Sequence, residues 1–240
     1  MKIVALIPAR YSASRFPGKL MKILGDKPVI VHTYLNTCST GLFNDVIVVT
    51  DSLEIFNSIK GVNGNVIMSR EEHLSGTDRI AEVAENIEAD VIINVQGDEP
   101  FVYGDALASL CNLFNDSDTK VGSLMHRIDS NDAENPNAVK VVTDLKGNAL
   151  YFSRSVIPFL RDSKDNCTYF KHIGVYGYKK NVLLEISQLQ PTRLEIAEKL
   201  EQLRILENGI KIKMAEIKEW SVAIDTPEDF ERAKSLLFRK

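Results

Sequence analysis

The sequence predicts an α/β fold, a largely parallel sheet with helices on both faces, and three observations carry that prediction. Apolar runs at residues 3–7, 45–50, 65–68 and 91–95 have the length and β-branched content of buried strands. Stretches with helical spacing of apolar residues follow them, so strand and helix alternate four times in about a hundred residues. Gly, Pro and capping residues punctuate the joins.

Taken in order, residues 3–7 form a strand that Pro8 opens into a loop. Pro28 stands early in a helix over 28–39 that carries Val29, Ile30, Val31, Tyr34 and Leu35. Strand 45–50 ends in Thr50-Asp51, and Asp51 or Ser52 is the cap candidate for a helix with Ile55, Phe56 and Ile59. The segment from Gly61 to Gly64 turns into strand 65–68. Ile80, Val83, Ala84 and Ile87 then stand at i, i+3, i+4, i+7, the period of an amphipathic helix, before strand 91–95.

Beyond Gly97 the pattern loosens into a helix over 106–114 and strands at 120–127, 138–144 and 149–153, with a Lys146-Gly147-Asn148 turn between the last two. Residues 168–178 alternate partly, as a further strand would. A helix over 194–206, a strand over 210–217 and a final helix opened by Thr226-Pro227-Glu228-Asp229 complete the chain. No repeat or linker interrupts it, so the expectation is a single domain over 1–240 with a strand-rich insertion at about 120–180.

The totals exclude several classes. A net charge of −4 without a long basic run argues against a nucleic-acid partner. Cys38, Cys111 and Cys167 are odd in number and far apart, which suits reduced thiols rather than a disulfide framework or zinc site. No segment approaches the ~18 continuous apolar residues of a membrane helix. The amino-terminal run reads as a strand rather than a signal peptide, so the expected location is the cytoplasm, with no membrane partner.

The chemistry concentrates in Pro8-Ala9-Arg10-Tyr11-Ser12-Ala13-Ser14-Arg15-Phe16-Pro17-Gly18-Lys19. Arg10, Arg15 and Lys19 supply three cations within ten residues, and Ala9 with the small residues beside it lets main-chain N–H groups approach an oxygen-rich ligand. A basic cluster is often merely solvated. This one follows the first strand of an α/β pattern, where ligands bind, and a polyphosphate is the best match. It is not a Walker loop, because Ala13 replaces the first glycine and Leu20 the magnesium-binding hydroxyl; with one glycine it is not a dinucleotide fingerprint either.

Asn94-Val95-Gln96-Gly97-Asp98-Glu99-Pro100 lies at the carboxyl end of the fourth strand, and Asp225 follows the apolar run 220–224 at another apparent strand end. Each is readable as an ordinary turn or cap neighbour. Hard carboxylate oxygens beside a polyphosphate also suit Mg2+, which uses one or two carboxylates plus phosphates. Ser75-Gly76-Thr77-Asp78-Arg79 is a capping box, and a helix amino terminus is also friendly to anions. Arg154 offers a cation for a substrate carboxylate, His172 and Tyr176 place two polar rings around Gly174, and Glu201-Gln202 lie on the 194–206 helix. Singly, each is as readable as a packing residue.

Together these motifs resemble the sugar nucleotidyltransferases, and among them the cytidylyltransferases that activate acidic sugars. The resemblance runs through nearly the whole chain. It implies a three-layer, Rossmann-like, mixed and mostly parallel sheet of the nucleotide-diphospho-sugar transferase type. It implies transfer of CMP from CTP to the anomeric hydroxyl of 3-deoxy-D-manno-octulosonate (Kdo), an acidic eight-carbon sugar, for lipopolysaccharide biosynthesis, by a homodimer joined through the insertion. By resemblance Asp98 and Asp225 hold Mg2+, and Arg10, Lys19, Asp98 and Asp225 are catalytic. Ala9, Arg10, Arg15, Lys19, Ser75, Gly76, Thr77, Asp78 and Gln96 hold CTP. Gln96, Arg154, His172, Tyr176, Glu201 and Gln202 read the acceptor, with Ser69 and Arg70 near the base. Phe16, Leu74 and Gly177 depart from the family's usual leucine, polar residue and alanine, which leaves an amino-substituted Kdo, sialic acid or pseudaminic acid as alternative acceptors.

Overall fold

The computed structural model describes residues 1–11, 16–70, 73, 75–162, 167–218 and 223–237. The chain divides into two compact units, Met1–Leu107 with Ser221–Lys240, and Ala108–Trp220. The fold is α/β with a mixed, mostly parallel sheet and helices packed against it, the class the sequence predicts.

The first unit contains β1 (Ile3–Ala9), a small hairpin of β2 (Ile23–Leu24) and β3 (Lys27–Pro28), α1 (Val29–Ser39), β4 (Asp45–Thr50), α2 (Leu53–Lys60), β5 (Val66–Met68), α3 (Gly76–Ala84) and β6 (Val91–Asn94). β1 is flanked by β6 and β4, and β4 by β5, all parallel. Burial explains the near-continuous apolar runs: Val4 through Ile7 and Val91 through Ile93 are almost wholly inaccessible. Pro8 does not end β1 as expected. Pro8 and Ala9 continue to pair with Val49 and Thr50 after β6 has ended beside Leu6.

The boundary between units falls within α4 (Gly104–Asn112). The second unit then contains β7 (Val121–Ile128), α5 (Ser130–Glu134), β8 (Lys140–Thr143), β9 (Ala149–Ser153), β10 (Tyr169–Lys179), α6 (Lys180–Ser187), α7 (Arg193–Glu198), α8 (Gln202–Glu207) and β11 (Ile212–Ile217). β7 pairs antiparallel with β10 and parallel with β11, and the β8–β9 hairpin meets β10 at Lys140 and Lys171. α9 (Pro227–Leu237) completes the first unit.

Several local expectations are realised in the hydrogen bonds. Ser52, rather than Asp51, caps α2 by accepting from the Ile55 N–H. Ser75 and Asp78 form the capping box of α3, and Thr226 with Asp229 does the same for α9. Pro28 is the residue before α1 and not inside it. The single helix expected over 194–206 is two helices, because Lys199 adopts a left-handed conformation at φ 55 and ψ 48 and turns the chain. The apparent strand before Asp225 is irregular at residues 223–225; residues 220–222 of that run lie outside the described residues.

Thr226→Ala should cost ~1 kcal/mol of stability, the usual value of a lost amino-terminal cap, read as a lower urea midpoint with an unchanged slope. An unchanged midpoint would remove the capping box from the account. Among the described residues all three cysteines are free thiols, and burial pushes that of Cys111 up to about 11. No helix among them is long and apolar enough to cross a membrane.

Candidate functional site

Three segments remote in sequence are led to one point by the parallel sheet of the first unit. After β1, the Gly18 N–H donates to the Tyr11 carbonyl at 3.3 Å, closing the cationic loop. Gly18 takes φ 66, a conformation that favours glycine, and launches a short 3-10 turn at Lys19. Arg15 lies outside the described residues. Phe16 packs edge-on against Phe230 of α9, ring centroids 6.0 Å apart, which ties the described end of the loop to the helix that follows Asp225.

After β6, the Val95 N–H still donates to the Leu6 carbonyl, and the chain then turns at Gln96-Gly97-Asp98. Glycine is required at 97, since a Cβ there would stand 2.9 Å from the Pro8 carbonyl oxygen and 3.1 Å from Ile30 Cδ1. Thr33 of α1 donates its hydroxyl to the Gly97 carbonyl at 2.9 Å, fixing the turn to the helix layer. The Ile224 N–H donates to the Asp98 carbonyl at 2.9 Å, and this main-chain bond brings the segment bearing Asp225 alongside. Asp229 completes the placement by accepting from the N–H groups of Asp225 at 3.2 Å and Thr226 at 3.0 Å.

Lys19 stands where these segments meet. Its ammonium donates to the Asp98 carboxylate in a short contact and to Asp225 Oδ1 at 2.9 Å, although the partners lie 79 and 206 residues away in the chain. Burial acts to lower the Lys19 pKa, but Asp98 and Asp225 together outweigh it, and the ammonium is held above its ordinary value. Burial lifts the Asp98 carboxyl above the usual carboxylate range; Lys19 opposes that rise, and Asp225 adds to it. Two carboxylates on one ammonium form a cluster with excess negative charge, open to a further cation. The donor set fits Mg2+, whose needs are hard oxygens from one or two carboxylates and the rest from substrate and water. Among the described residues no group of three or more acidic, His or Cys side chains gathers to form an all-protein metal cage.

Beside the cluster lies a cavity of about 230 Å³ lined in part by Arg10, Lys19, Gly76, Gln96, Gly97 and Asp98. The structure therefore brings most of the expected loop, strand-end and helix-terminus residues to one place. Ala9 is wholly buried within β1. The side chains of Ser75 and Asp78 are engaged in capping, Thr77 is buried, and the Ser69 hydroxyl accepts from Arg79 at 2.6 Å. Arg79 also reaches Asp51 at 2.5 Å, so this buried arginine ties α3 to the carboxyl ends of β4 and β5. Arg70 points largely to solvent.

In the second unit the expected acceptor residues form a cluster around His172. Between Ile173 and Tyr176 the β10–β7 register shifts, and the Ser123 hydroxyl bridges the irregularity, 3.1 Å from the Ile173 carbonyl and 2.9 Å from that of Val175. His172 Nε2 lies 3.0 Å from the same hydroxyl, and its Nδ1 lies 3.5 Å from the Gln202 amide nitrogen. If Gln202 donates to Nδ1, Nε2 carries the proton and donates to Ser123, which leaves that hydroxyl to donate to a carbonyl. Burial lowers the His172 pKa to about 3, so the ring is neutral at physiological pH. Its ring meets Phe152 edge-on at 4.9 Å and Tyr176 at 5.3 Å. The Tyr176 hydroxyl is buried with no hydrogen-bond partner among the described residues, and burial, with Tyr178 and Glu201 adding, drives its pKa well up.

Arg154, the expected substrate clamp, is engaged with main-chain carbonyls. Its guanidinium donates to the carbonyls of Glu198 at 2.8 Å, Pro136 at 3.0 Å and Lys199 at 3.5 Å. Ser123, Phe152, Lys140 and Glu198 escaped the sequence reading. Only Phe152, two residues before Arg154 on the expected strand 149–153, carried a signal.

Comparison with known proteins agrees with this geometry. A family model described as cytidylyltransferase matches residues 4–212. The chain is 51% identical over 240 residues to a 3-deoxy-manno-octulosonate cytidylyltransferase of Christiangramia forsetii, covering 98% of this chain and 97% of the relative. It is 52% identical to one of Flavobacterium johnsoniae, covering 99% of each. A solved CMP:2-keto-3-deoxy-manno-octonic acid synthetase complexed with CTP superposes with a TM-score of 0.96 at 39% identity, over 100% of this chain and 99% of that one. With the cationic loop, the paired aspartates and near full-length identity in agreement, the chain belongs to the 3-deoxy-manno-octulosonate cytidylyltransferase family.

Proposed function

We propose that the protein transfers CMP from CTP to the anomeric hydroxyl of Kdo, forming CMP-Kdo and pyrophosphate for lipopolysaccharide biosynthesis. The observation that carries this reading is Lys19 held between Asp98 and Asp225 beside a cavity that Arg10 and Gln96 also line. The anomeric oxygen attacks the α-phosphorus, the bond from that phosphorus to the bridging oxygen breaks, the hydroxyl proton is lost, and pyrophosphate leaves. Such chemistry consists mainly of positioning and charge neutralisation. Arg10, Arg15 and Lys19 hold the triphosphate and stabilise the departing pyrophosphate. Gln96 and the amino terminus of α3, with Gly76, orient the nucleotide, and the main chain of Ala9 borders it.

Asp98 and Asp225 would hold Mg2+, which would supply charge neutralisation and a lowered pKa for the attacking hydroxyl. In the second unit, the Tyr176 hydroxyl, which has no partner among the described residues, Glu201 and Gln202 read the hydroxyl groups of the sugar, with neutral His172 orienting Gln202. The enzyme works in the cytoplasm as a homodimer; exposed Leu145, Leu150 and Phe159 in the second unit support a partner surface there. The test is Mg2+-dependent pyrophosphate release with Kdo and each nucleoside triphosphate in turn. CTP should exceed each of the others in kcat/KM by at least about tenfold. Equal release from all four, or none with Kdo, would overturn the reading.

A further inference from the structure

Gln202 reaches His172 because the chain turns sharply between α7 and α8, and the turn rests on one residue. Lys199, with φ 55, occupies a region that residues other than glycine enter only when their surroundings compel them. Its N–H donates to the Glu195 carbonyl, ending α7, and Leu200 is buried immediately after.

Arg204 of α8 pairs with the Glu195 carboxylate of α7, and a second hold on the turn comes from the end of β9. Through Nε and Nη2, Arg154 holds the carbonyls of Glu198 and Lys199, the two residues at the bend. In return the Glu198 carboxylate accepts from the Arg154 N–H at 3.0 Å and from the Ser153 hydroxyl at 2.6 Å. Lys140, wholly buried, donates its ammonium to the Arg154 carbonyl at 2.7 Å and to the Asn135 carbonyl at 3.0 Å, so the main chain of Arg154 is fixed as well. A carboxylate takes an arginine fork through two neighbouring N–H groups. Here the Nε–Nη2 edge already grips two carbonyls, and Nη1 grips the carbonyl of Pro136.

We infer that Arg154 is a positioning residue for acceptor recognition: with Glu198 it locks the left-handed turn at Lys199 and so sets where Glu201 and Gln202 stand against Tyr176 and His172. This rests on the reading of that cluster as the acceptor site. It gives Arg154 an indirect role, in place of direct capture of the sugar's carboxylate.

The test varies Kdo and CTP separately for Arg154→Gln, Lys199→Gly and the double variant, with thermal unfolding of each. Arg154→Gln should raise the KM for Kdo at least about tenfold while the KM for CTP stays within about twofold. Lys199→Gly alone should stay within about twofold of the parent, because glycine takes the turn unaided. In the double variant Lys199→Gly should recover most of the lost Kdo affinity. An unchanged KM for Kdo overturns the inference. So does a raised KM that added guanidinium restores and Lys199→Gly does not, the behaviour of a direct contact. Should Arg154→Gln fail to fold, Glu198→Gln carries the same test: a raised KM for Kdo recovered by Lys199→Gly supports the inference, and anything else overturns it. A parent enzyme inactive on Kdo refutes the functional reading itself, which the parent assay separates from failure of the positioning role.

Discussion

Asp98→Ala should lower kcat for CMP-Kdo formation about a thousandfold while leaving the protein folded. Asp98 is the more buried member of the acid pair, and burial raises its pKa. A group whose pKa is raised on folding contributes stability that is complete below its unfolded value and is lost as pH rises through the folded one. The contribution of Asp98 therefore falls as pH rises, and a carboxyl that burial disfavours in its charged form is retained for something other than stability. Removing it leaves Lys19 still paired with Asp225. The unfolding midpoint should therefore stay within about 4 °C of the parent, or ~1 kcal/mol. Steady-state rates at saturating CTP and Kdo, with a parallel thermal melt, decide the matter. A rate within tenfold of the parent would remove Asp98 from the chemistry.

Lys19→Ala should fail on both counts, losing activity and stability together. Its pKa is raised on folding even though burial acts against the charge, so its stabilisation is present at neutral pH and is lost only as pH climbs through the raised value. Without the ammonium, two carboxylates face each other, one of them largely buried. Breaking a fully buried pair costs roughly 3–5 kcal/mol. The exposed half of Asp225 screens part of that, and about 2 kcal/mol is the expected loss. Adding Asp98→Asn to Lys19→Ala removes the repulsion and should return about half of it without returning activity. The fall in kcat/KM for CTP should be about a hundredfold or more, since the group that neutralises the triphosphate is lost. Urea unfolding of the three variants measures the cycle, and a Lys19→Ala protein as stable as the parent would contradict it.

Part of this site was readable before any coordinates. The apolar runs marked the strands of the first unit, because a strand buried on both faces leaves little choice but Val, Ile and Leu. The boxes of Ser75 with Asp78 and Thr226 with Asp229 were readable because capping acts over three residues. Lys19, Asp98 and Asp225 were each singled out by residue type and by position at an apparent strand end, although the segment before Asp225 is irregular where it is described.

Their meeting was a different matter. It depends on β6 lying beside β1 and on the bond from Ile224 to Asp98, pairings between distant segments that no local pattern encodes. The same holds for the second unit. The helical period of residues 194–206 runs smoothly through Lys199, and contacts made through space, the hold of Arg154 on the carbonyls at the bend and of Arg204 on Glu195 among them, accompany its break. The chain by itself therefore determined its strands, its caps and the chemical types at its strand ends, since those follow from interactions a few residues long. Which of those groups share a proton, a carbonyl or a cavity was decided by tertiary structure alone, because electrostatics and hydrogen bonding act through space and the sheet sets that space.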